Sequence, residues 1–304
     1  MKIFTLKANE NWILDRMFSD WKRKCEHIHT DDLNEADIIW ILPPWQWKRV
    51  PPYFLVNKLV VVSIHHIVPE KFNAREFNER DRFVDHYHVP CEQTKNFIKN
   101  HTDKQISVMG YWYDAEFWQP LNKEESRKEL DIPNDQFVVG SFQRDTEGSD
   151  LTSPKLEKGP DLFIEYVKKL DKENLCILLG GWRRQYVINE LNKENISYIY
   201  KEMAPLETIR KMYAACDLYV VSSRYEGGPQ AVMEAPSMNV PIVSSDVGMA
   251  SKVLPDTCII DVENETYIPT DEDVATCSER VTKFDLNTHV KNYEEMFSNL
   301  IEKG

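Results

Sequence analysis

The chain has 304 residues, of which 42% are hydrophobic and 29% are charged. This length and composition predict a globular protein of two domains. The formal net charge is −13 and falls on residues 116–304, because basic and acidic residues balance over residues 1–115. An acidic chain repels nucleic acid and anionic bilayers at long range, which argues against nucleic-acid binding as a main function.

The first part of the chain alternates short apolar runs with amphipathic stretches. A strand is predicted at Ile3–Leu6 and a helix at Trp12–Arg23, with a second helix at Cys91–Lys99. Runs rich in Val and Ile predict further strands buried on both faces. These strands are Ile38–Leu42, Leu59–Ile64 and Ile106–Met109.

The second part repeats this alternation after a polar segment, Tyr113–Asp135, which marks the predicted domain boundary. Helices are predicted at Gly159–Leu170 and near residues 205–215 and 229–238. Predicted strands are Phe137–Ser141, Cys176–Leu179, Tyr198–Tyr200, Leu218–Val221 and Ile242–Ser244. Strand and helix alternation predicts an α/β protein with parallel sheets covered by helices on both faces.

The sequence also predicts the compartment. Its six cysteines are scattered without a Cys-x-x-Cys pair, which is typical of reduced cysteines in a cytoplasmic protein. The amino-terminal residues turn polar at once, and no apolar run approaches the roughly 18 residues of a membrane span. A cytoplasmic protein without a transmembrane segment is therefore expected.

The densest chemical signal is residues 222–235, Ser-Ser-Arg-Tyr-Glu-Gly-Gly-Pro-Gln-Ala-Val-Met-Glu-Ala. It follows the apolar strand Leu218–Val221, and its two glycines allow a tight turn before Pro229 opens a helix. Ligands bind at the carboxyl ends of parallel strands, and free N–H groups at a helix start favour a diphosphate. Glu226 and Glu234 add two carboxylates, each of which can accept hydrogen bonds from a diol.

This segment, followed by Asn-Val-Pro-Ile-Val-Ser-Ser-Asp-Val-Gly at 239–248, resembles the family 4 retaining glycosyltransferases of the B fold. The resemblance implies two Rossmann-like lobes that face each other across a cleft. The first lobe would be residues 1–115, on the acceptor side. The second would be residues 116–285 and would bind the sugar nucleotide, while a carboxyl-terminal helix, 286–304, crosses back to the first lobe.

The resemblance also assigns the donor-binding residues. Glu226 would contact hydroxyls of the donor sugar and Glu234 the ribose diol. The N–H groups of Gly227, Gly228 and Gln230 would hold the phosphates.

The resemblance also implies an Arg and a Lys that bind the diphosphate. Arg144 follows the strand Phe137–Ser141, and Lys158 precedes the Gly-Pro start of a helix, so both fit this role. Fixed cations aimed at a departing diphosphate stabilise the transition state more than the ground state. Lys155 competes with Lys158 for this role but lacks the Gly-Pro helix start.

Other residues have weaker assignments. His65 and His66 end a first-lobe strand, and the resemblance implies that one of them faces the donor sugar. Met203 and Leu206 lie where the family reads the base. Trp45 and Trp47, on a Pro-rich loop, would stack on an acceptor sugar or pack beneath the lobe.

The sequence departs from the family's usual pattern after its first strand, and one segment matches a metal motif of another fold. The loop after the first strand, residues 6–12, lacks the glycines usual in the family. Asp271-Glu272-Asp273 has the Asp-x-Asp form of a metal motif from another transferase fold, but acidic residues at a helix start explain it. No obligatory metal and no cofactor are expected, with Arg144 and Lys158 taking the metal's electrostatic role.

The predicted function is therefore retaining transfer of a hexose from a nucleoside-diphosphate sugar to a hydroxyl of a glycan or glycoprotein. GDP-mannose is favoured over UDP-glucose because mannosyl transfer is common among relatives. Two alternatives stay open: a sugar-nucleotide epimerase or hydrolase that uses His65, His66 and Glu226, and a non-catalytic sugar-nucleotide-binding module. A homodimer stays open as well.

Overall fold

The computed structural model describes residues 1–303, which divide into two compact units. The first unit combines residues 1–114 with residues 283–303, and the second is Ala115–Thr282.

The first unit is built on a parallel sheet of six strands in the order β2-β1-β3-β4-β5-β6. The strands are β1 (Ile3–Leu6), β2 (His29–Thr30), β3 (Ile38–Ile41), β4 (Leu59–Ser63), β5 (His86–Val89) and β6 (Gln105–Val108). The helices are α1 (Ile13–Lys24), α2 (Pro52–Asn57), α3 (Ala74–Asp81), α4 (Glu92–Ile98) and, after the second unit, α12 (Leu286–Lys303). A 3-10 helix, Pro44–Arg49, follows β3.

The second unit holds a parallel sheet of five strands in the order β11-β10-β7-β12-β13. These are β7 (Phe137–Phe142), β10 (Leu175–Gly181), β11 (Ser197–Glu202), β12 (Leu218–Val221) and β13 (Ile242–Ser244). Two short strands, β8 (Thr146–Glu147) and β9 (Ser153–Pro154), pair antiparallel as a separate hairpin. The helices are α5 (Lys123–Glu129), α6 (Pro160–Lys169), α7 (Gln185–Lys193), α8 (Leu206–Ala215), α9 (Ala231–Ser237), α10 (Ala250–Val253) and α11 (Asp271–Val281).

The carboxyl-terminal helix belongs to the first unit, as the sequence predicted. Its Tyr293 and Phe297 are fully buried against Trp40 of β3, with ring centroids 5.7 and 5.2 Å away. Trp21 of α1 meets Phe297 edge-on at 5.6 Å. Aromatic pairs of this geometry stabilise by about 0.5–1.5 kcal/mol beyond their buried area, so this cluster anchors α12 on α1 and the sheet.

Among the elements that the sequence did not predict, strand β5 and helix α5 are stabilised by polar interactions. Strand β5 carries two histidines, and His88 is fully buried because its ring accepts from Ser63 Oγ at 2.8 Å and donates to Met109 O at 2.9 Å. Helix α5 lies inside the predicted linker and begins at Asn122, whose side chain caps it by accepting from the Glu125 N–H at 2.9 Å.

Candidate functional site

The second unit has a topological switch point between β7 and β12. From β7 the chain builds β10 and β11 on one side, then returns to build β12 and β13 on the other. In open α/β sheets ligands bind at the carboxyl ends of the strands at such a point. The segments located there are residues 143–146, which follow β7, and residues 222–228, which follow β12.

A tight turn before α6 is docked on the loop that follows β12. Gly159 has a left-handed φ of 58°, and a Cβ at this position would lie 1.8 Å from the Ser222 carbonyl oxygen. Ser222 Oγ donates to the Gly159 oxygen at 2.8 Å. The N–H groups of Arg224 and Tyr225 donate to the Glu157 oxygen at 2.9 and 3.1 Å. Only glycine permits this approach, which fixes the position of Lys158 relative to the loop.

Lys158 and Glu226 meet directly as a consequence. Lys158 Nζ lies 2.5 Å from Glu226 Oε1, and the two side chains are only 18% and 13% exposed. Ser223 Oγ donates to the same carboxylate oxygen at 3.2 Å. The structure thus joins a cation and a carboxylate that the sequence singled out separately, 68 residues apart.

Arg144 lies elsewhere at the same switch point. Its guanidinium stacks over the Trp182 ring at 5.0 Å, and its Nε donates to the Thr146 oxygen at 3.1 Å. Arg183 approaches the same ring at 5.1 Å. Trp182 is 45% exposed and follows β10, so two cations and an exposed indole meet beside the carboxyl ends of β7 and β10. Sequence reasoning did not single out Trp182.

Gly227 and Gly228, here called the glycine loop, precede helix α9, which carries the second glutamate, Glu234. Gly227 lies against Gly248, where a Cβ would come within 2.3 Å of the Gly227 oxygen. Within residues 1–303, the N–H groups of Gly227 and Gly228 have no hydrogen-bond partner. Gln230 precedes α9 at the N-cap position without a side-chain capping hydrogen bond. Glu234 in that helix is 5% exposed and accepts from Tyr213 OH at 2.9 Å.

The two residues expected near a base lie beyond the end of β11. Met203 is 51% exposed, takes a left-handed φ of 46°, and donates its N–H to the Gly181 oxygen at 3.2 Å. Leu206 is half-buried at the start of α8. Met203 therefore lies beside the carboxyl ends of both β10 and β11.

A buried ion pair beneath this edge also went undetected. Arg184 and Asp145 are both fully buried and bonded to each other. Arg184 also donates to the Gly180 oxygen at 2.7 Å and to Ser141 Oγ at 3.1 Å. The sequence shows only two arginines after a strand and an aspartate after another, which carries no signal that these side chains meet.

The predicted histidines lie in the first unit, after β4. Both ring nitrogens of His65 are engaged, since Nε2 donates to the Leu42 oxygen at 2.7 Å and Nδ1 accepts from Tyr111 OH. Burial lowers the pKa of His65 to about 4. His66 is half-buried next to it.

We expect His65 and His88 to stay neutral down to about pH 5 in the folded protein. Burial lowers their pKa values to about 4 and about 3, whereas an unfolded chain protonates histidine near pH 6.5. Their stabilising contribution is therefore present above pH 6.5 and is lost as the pH falls towards 4. Long-range ¹H–¹⁵N NMR should show constant ring shifts for both residues from pH 8 to 5, and a midpoint near 6.5 for either would contradict the structure.

Two general features of the described chain concern metals and membranes. Within residues 1–303, no group of three or more His, Cys, Asp or Glu side chains is arranged to hold a metal ion. Asp271–Asp273 form the first turn of α11, where Asp273 and Thr270 make a capping box. Over the same residues no helix combines the length and apolar character that a membrane crossing requires.

Comparison with solved structures identifies the fold. HepE from Anabaena, in complex with UDP and glucose, superposes with a TM-score of 0.76 at 16% identity, covering 98% of this chain and 100% of HepE. Sucrose-phosphate synthase from Thermosynechococcus elongatus gives a TM-score of 0.68 at 15% identity, covering 94% of this chain and 77% of that one. The chain has the glycosyltransferase B fold, as the sequence predicted.

Sequence comparison identifies the family. A glycosyltransferase of Methanocaldococcus jannaschii, described as uncharacterized, is 27% identical over 177 residues, 54% of this chain and 40% of the relative. Glycogen synthase of Pseudothermotoga lettingae is 29% identical over 160 residues, 50% of this chain and 31% of the synthase. The chain thus spans less than half the length of these curated relatives. The family described as "Glycosyl transferases group 1" matches residues 122–299, a segment that includes the Lys158–Glu226 pair and the glycine loop, and the chain belongs to this family.

Proposed function

We propose that this chain transfers a hexose from a nucleoside-diphosphate sugar to an acceptor hydroxyl with retained anomeric configuration. The observation that carries the proposal is the contact between Lys158 and Glu226 at the switch point of the second unit. It places a cation suited to a diphosphate beside a carboxylate suited to sugar hydroxyls.

In this proposal, different residues at the switch point contact different parts of the donor. Lys158 and Arg144 stabilise the negative charge that develops on the departing diphosphate, helped by the N–H groups of Gly227, Gly228 and Gln230. Separately, Glu226 accepts hydrogen bonds from the sugar. In this proposal Glu234 binds the ribose diol, and Met203 with Leu206 contacts the base.

The first-unit histidines have different roles in the proposal. His65 is a positioning residue, because both its nitrogens are bonded within the protein and it holds the end of β3 through Leu42. His66 is the histidine that contacts the donor sugar. A neutral His65 with both ring nitrogens in hydrogen bonds is poorly suited to move protons, which favours sugar transfer over the epimerase alternative.

The choice of donor includes both the nucleotide base and the sugar, and the two are tested in the same experiment. Family resemblance favours GDP-mannose, whereas structures of HepE were solved with UDP-glucose and with UDP. We therefore place UDP-glucose first among donors to test and GDP-mannose second. The acceptor is a glycan or glycoprotein hydroxyl, and the transfer needs no metal.

Isothermal titration with UDP-glucose, GDP-mannose and UDP-N-acetylglucosamine, in EDTA, tests this function. We expect one donor to bind and Arg144→Ala to weaken its binding by about tenfold, because a charge-assisted contact to phosphate is lost. Arg183→Ala is the matched control, since Arg183 stacks on the same Trp182 ring and should leave the affinity within about twofold. Absence of binding by all three donors, or equal losses in both variants, would refute the assigned site.

Turnover then separates an enzyme from a binding module. With the donor that binds, wild-type protein should release the nucleoside diphosphate in the presence of an acceptor, and Glu226→Gln should slow this release. Tight donor binding without any release would instead support the non-catalytic alternative.

A further inference from the structure

The first unit has a switch point of its own. From β1 the chain builds β2 on one side and then β3, β4, β5 and β6 on the other. The crevice predicted by this topology lies at the carboxyl ends of β1 and β3. Two loops reach it: residues 7–12 after β1, and the 3-10 helix Pro44–Arg49 after β3.

An exposed indole lies in this crevice in a fixed orientation. Trp45 is 50% exposed, and its Nε1 donates to Glu10 Oε1 at 2.9 Å. Gln46 Nε2 donates to the same oxygen at 3.0 Å, and the His65 ring meets the indole edge-on at 6.3 Å. Trp45 is therefore held at its polar edge and by a neighbouring ring while half of its surface stays open to solvent.

The carboxylate that holds Trp45 keeps capacity for a ligand. Glu10 is exposed, and within the described residues its second oxygen, Oε2, accepts no hydrogen bond. Trp12, on the same loop, is a second exposed indole at 46%. An open aromatic face beside an acceptor-only group is typical of sites for polyhydroxylated ligands.

The loop after β1 already holds an anion of the protein. The N–H groups of Asn9, Glu10 and Asn11 donate to the Asp15 carboxylate at 2.8, 2.6 and 2.7 Å. Asn9 and Asn11 take left-handed φ values of 60° and 54°, conformations that a glycine-rich loop would otherwise supply. These three donors are therefore occupied and cannot hold a phosphate.

The charges around the crevice are balanced. Lys7 acts electrostatically on Asp15. Arg49 is bonded to the Lys7 carbonyl oxygen at 2.8 Å and to the side chain of Gln46, which in turn donates to Glu10. With its N–H donors occupied and its charges balanced, the crevice offers no focused positive potential to an anionic ligand.

We propose that the Trp45–Glu10 crevice binds a neutral pyranose of the acceptor saccharide. The Trp45 face stacks on the C–H face of the sugar ring, since an aromatic face carries partial negative charge and is apolar. Glu10 Oε2 accepts from its hydroxyls. The identification of this saccharide as the acceptor rests on the proposed transferase function, whereas the binding itself does not require the donor.

Saturation-transfer difference NMR tests the site with four neutral probes: the methyl α-pyranosides of glucose, mannose and galactose, and maltose. We expect at least one to bind the wild-type protein, with affinity at least fivefold weaker in Trp45→Ala and weaker in Glu10→Gln. Tyr53→Ala is the control, because Tyr53 is an exposed aromatic of the same unit at 69% and lies outside the crevice loops. Methyl glucuronide should bind more weakly than the matching glucoside.

Several outcomes would overturn the proposal: no binding by any probe, equal binding by Trp45→Ala and the wild type, or tighter binding of the glucuronide. Titration of UDP and GDP on the same samples distinguishes this failure from failure of the proposed function. Nucleotide binding without saccharide binding refutes only the proposed saccharide site in the crevice. Trp45-dependent saccharide binding without nucleotide binding refutes the transferase proposal but supports the saccharide site in the crevice.

Discussion

Replacing Lys158 with methionine should lower kcat/KM for sugar transfer by about 100- to 1,000-fold, the usual loss when a preorganised group facing the developing charge is removed. The side chain lies against Glu226 with only 18% of its surface exposed, so no solvent cation can take its position without displacement of protein atoms. The substitution also leaves Glu226 partly buried without its counter-charge, which disfavours approach of an anionic donor.

The matched control is Lys155→Met. Lys155 lies three residues earlier, is 23% exposed, and pairs with Glu157 at 3.6 Å. Its loss should change kcat/KM by no more than a few fold. Steady-state rates with the donor identified by titration measure both effects. A larger loss in Lys155→Met than in Lys158→Met would show that Lys155, and not Lys158, contacts the diphosphate.

The strands were largely predictable because parallel strands covered on both faces have continuous apolar sequences. Val139, Ile177, Leu218 and Val220 of the second unit are all at most 2% exposed, and each lies in a predicted strand. The same rule fails for β5, where hydrogen bonds to His88 replace apolar character. A hydrogen-bonded interior polar residue leaves no mark in a hydropathy pattern.

The site was predictable in its parts and unpredictable in its contacts. Lys158 and Glu226 were each expected to face the donor, but their contact depends on the left-handed turn at Gly159, which brings residues 156–159 onto the loop after β12. The hairpin β8–β9, which separates Arg144 from Lys158 along the chain, was also not foreseen. Its strands are two residues long and carry no periodic signal.

The two tryptophans of the Pro-rich loop show how local geometry resolves an ambiguity in the sequence. They lie two residues apart in a 3-10 helix, which has three residues per turn, so they point in different directions. Trp47 is 5% exposed and packs on Phe83 at 5.6 Å, whereas Trp45 is 50% exposed. Of the two alternatives that the sequence left open, packing beneath the lobe holds for Trp47, which belongs to the core.

Loss of the Arg184 guanidinium should be among the most destabilising single changes in the second unit. We expect Arg184→Met to lower the free energy of unfolding of this unit by about 3–5 kcal/mol, because it leaves the Asp145 carboxyl group fully buried without its counter-charge. It also removes hydrogen bonds to Ser141 and Gly180, which join the carboxyl ends of β7 and β10.

The control for this change lies on the helix that follows Arg184. Lys193 of α7 pairs with Glu190 at 2.5 Å in solvent, where such pairs contribute little, so Lys193→Met should leave the unfolding midpoint unchanged. Pulsed hydrogen exchange across a urea series, measured on peptides from β7 and β10, assigns the unfolding to the second unit. The double variant Asp145→Asn/Arg184→Met should regain part of the lost stability, since no unpaired charge then stays buried. If Arg184→Met unfolds at the wild-type urea concentration, the ion pair does not stabilise the edge of the sheet from which Arg144 projects, and Arg144 must be positioned by its contacts with Trp182 and Thr146 instead.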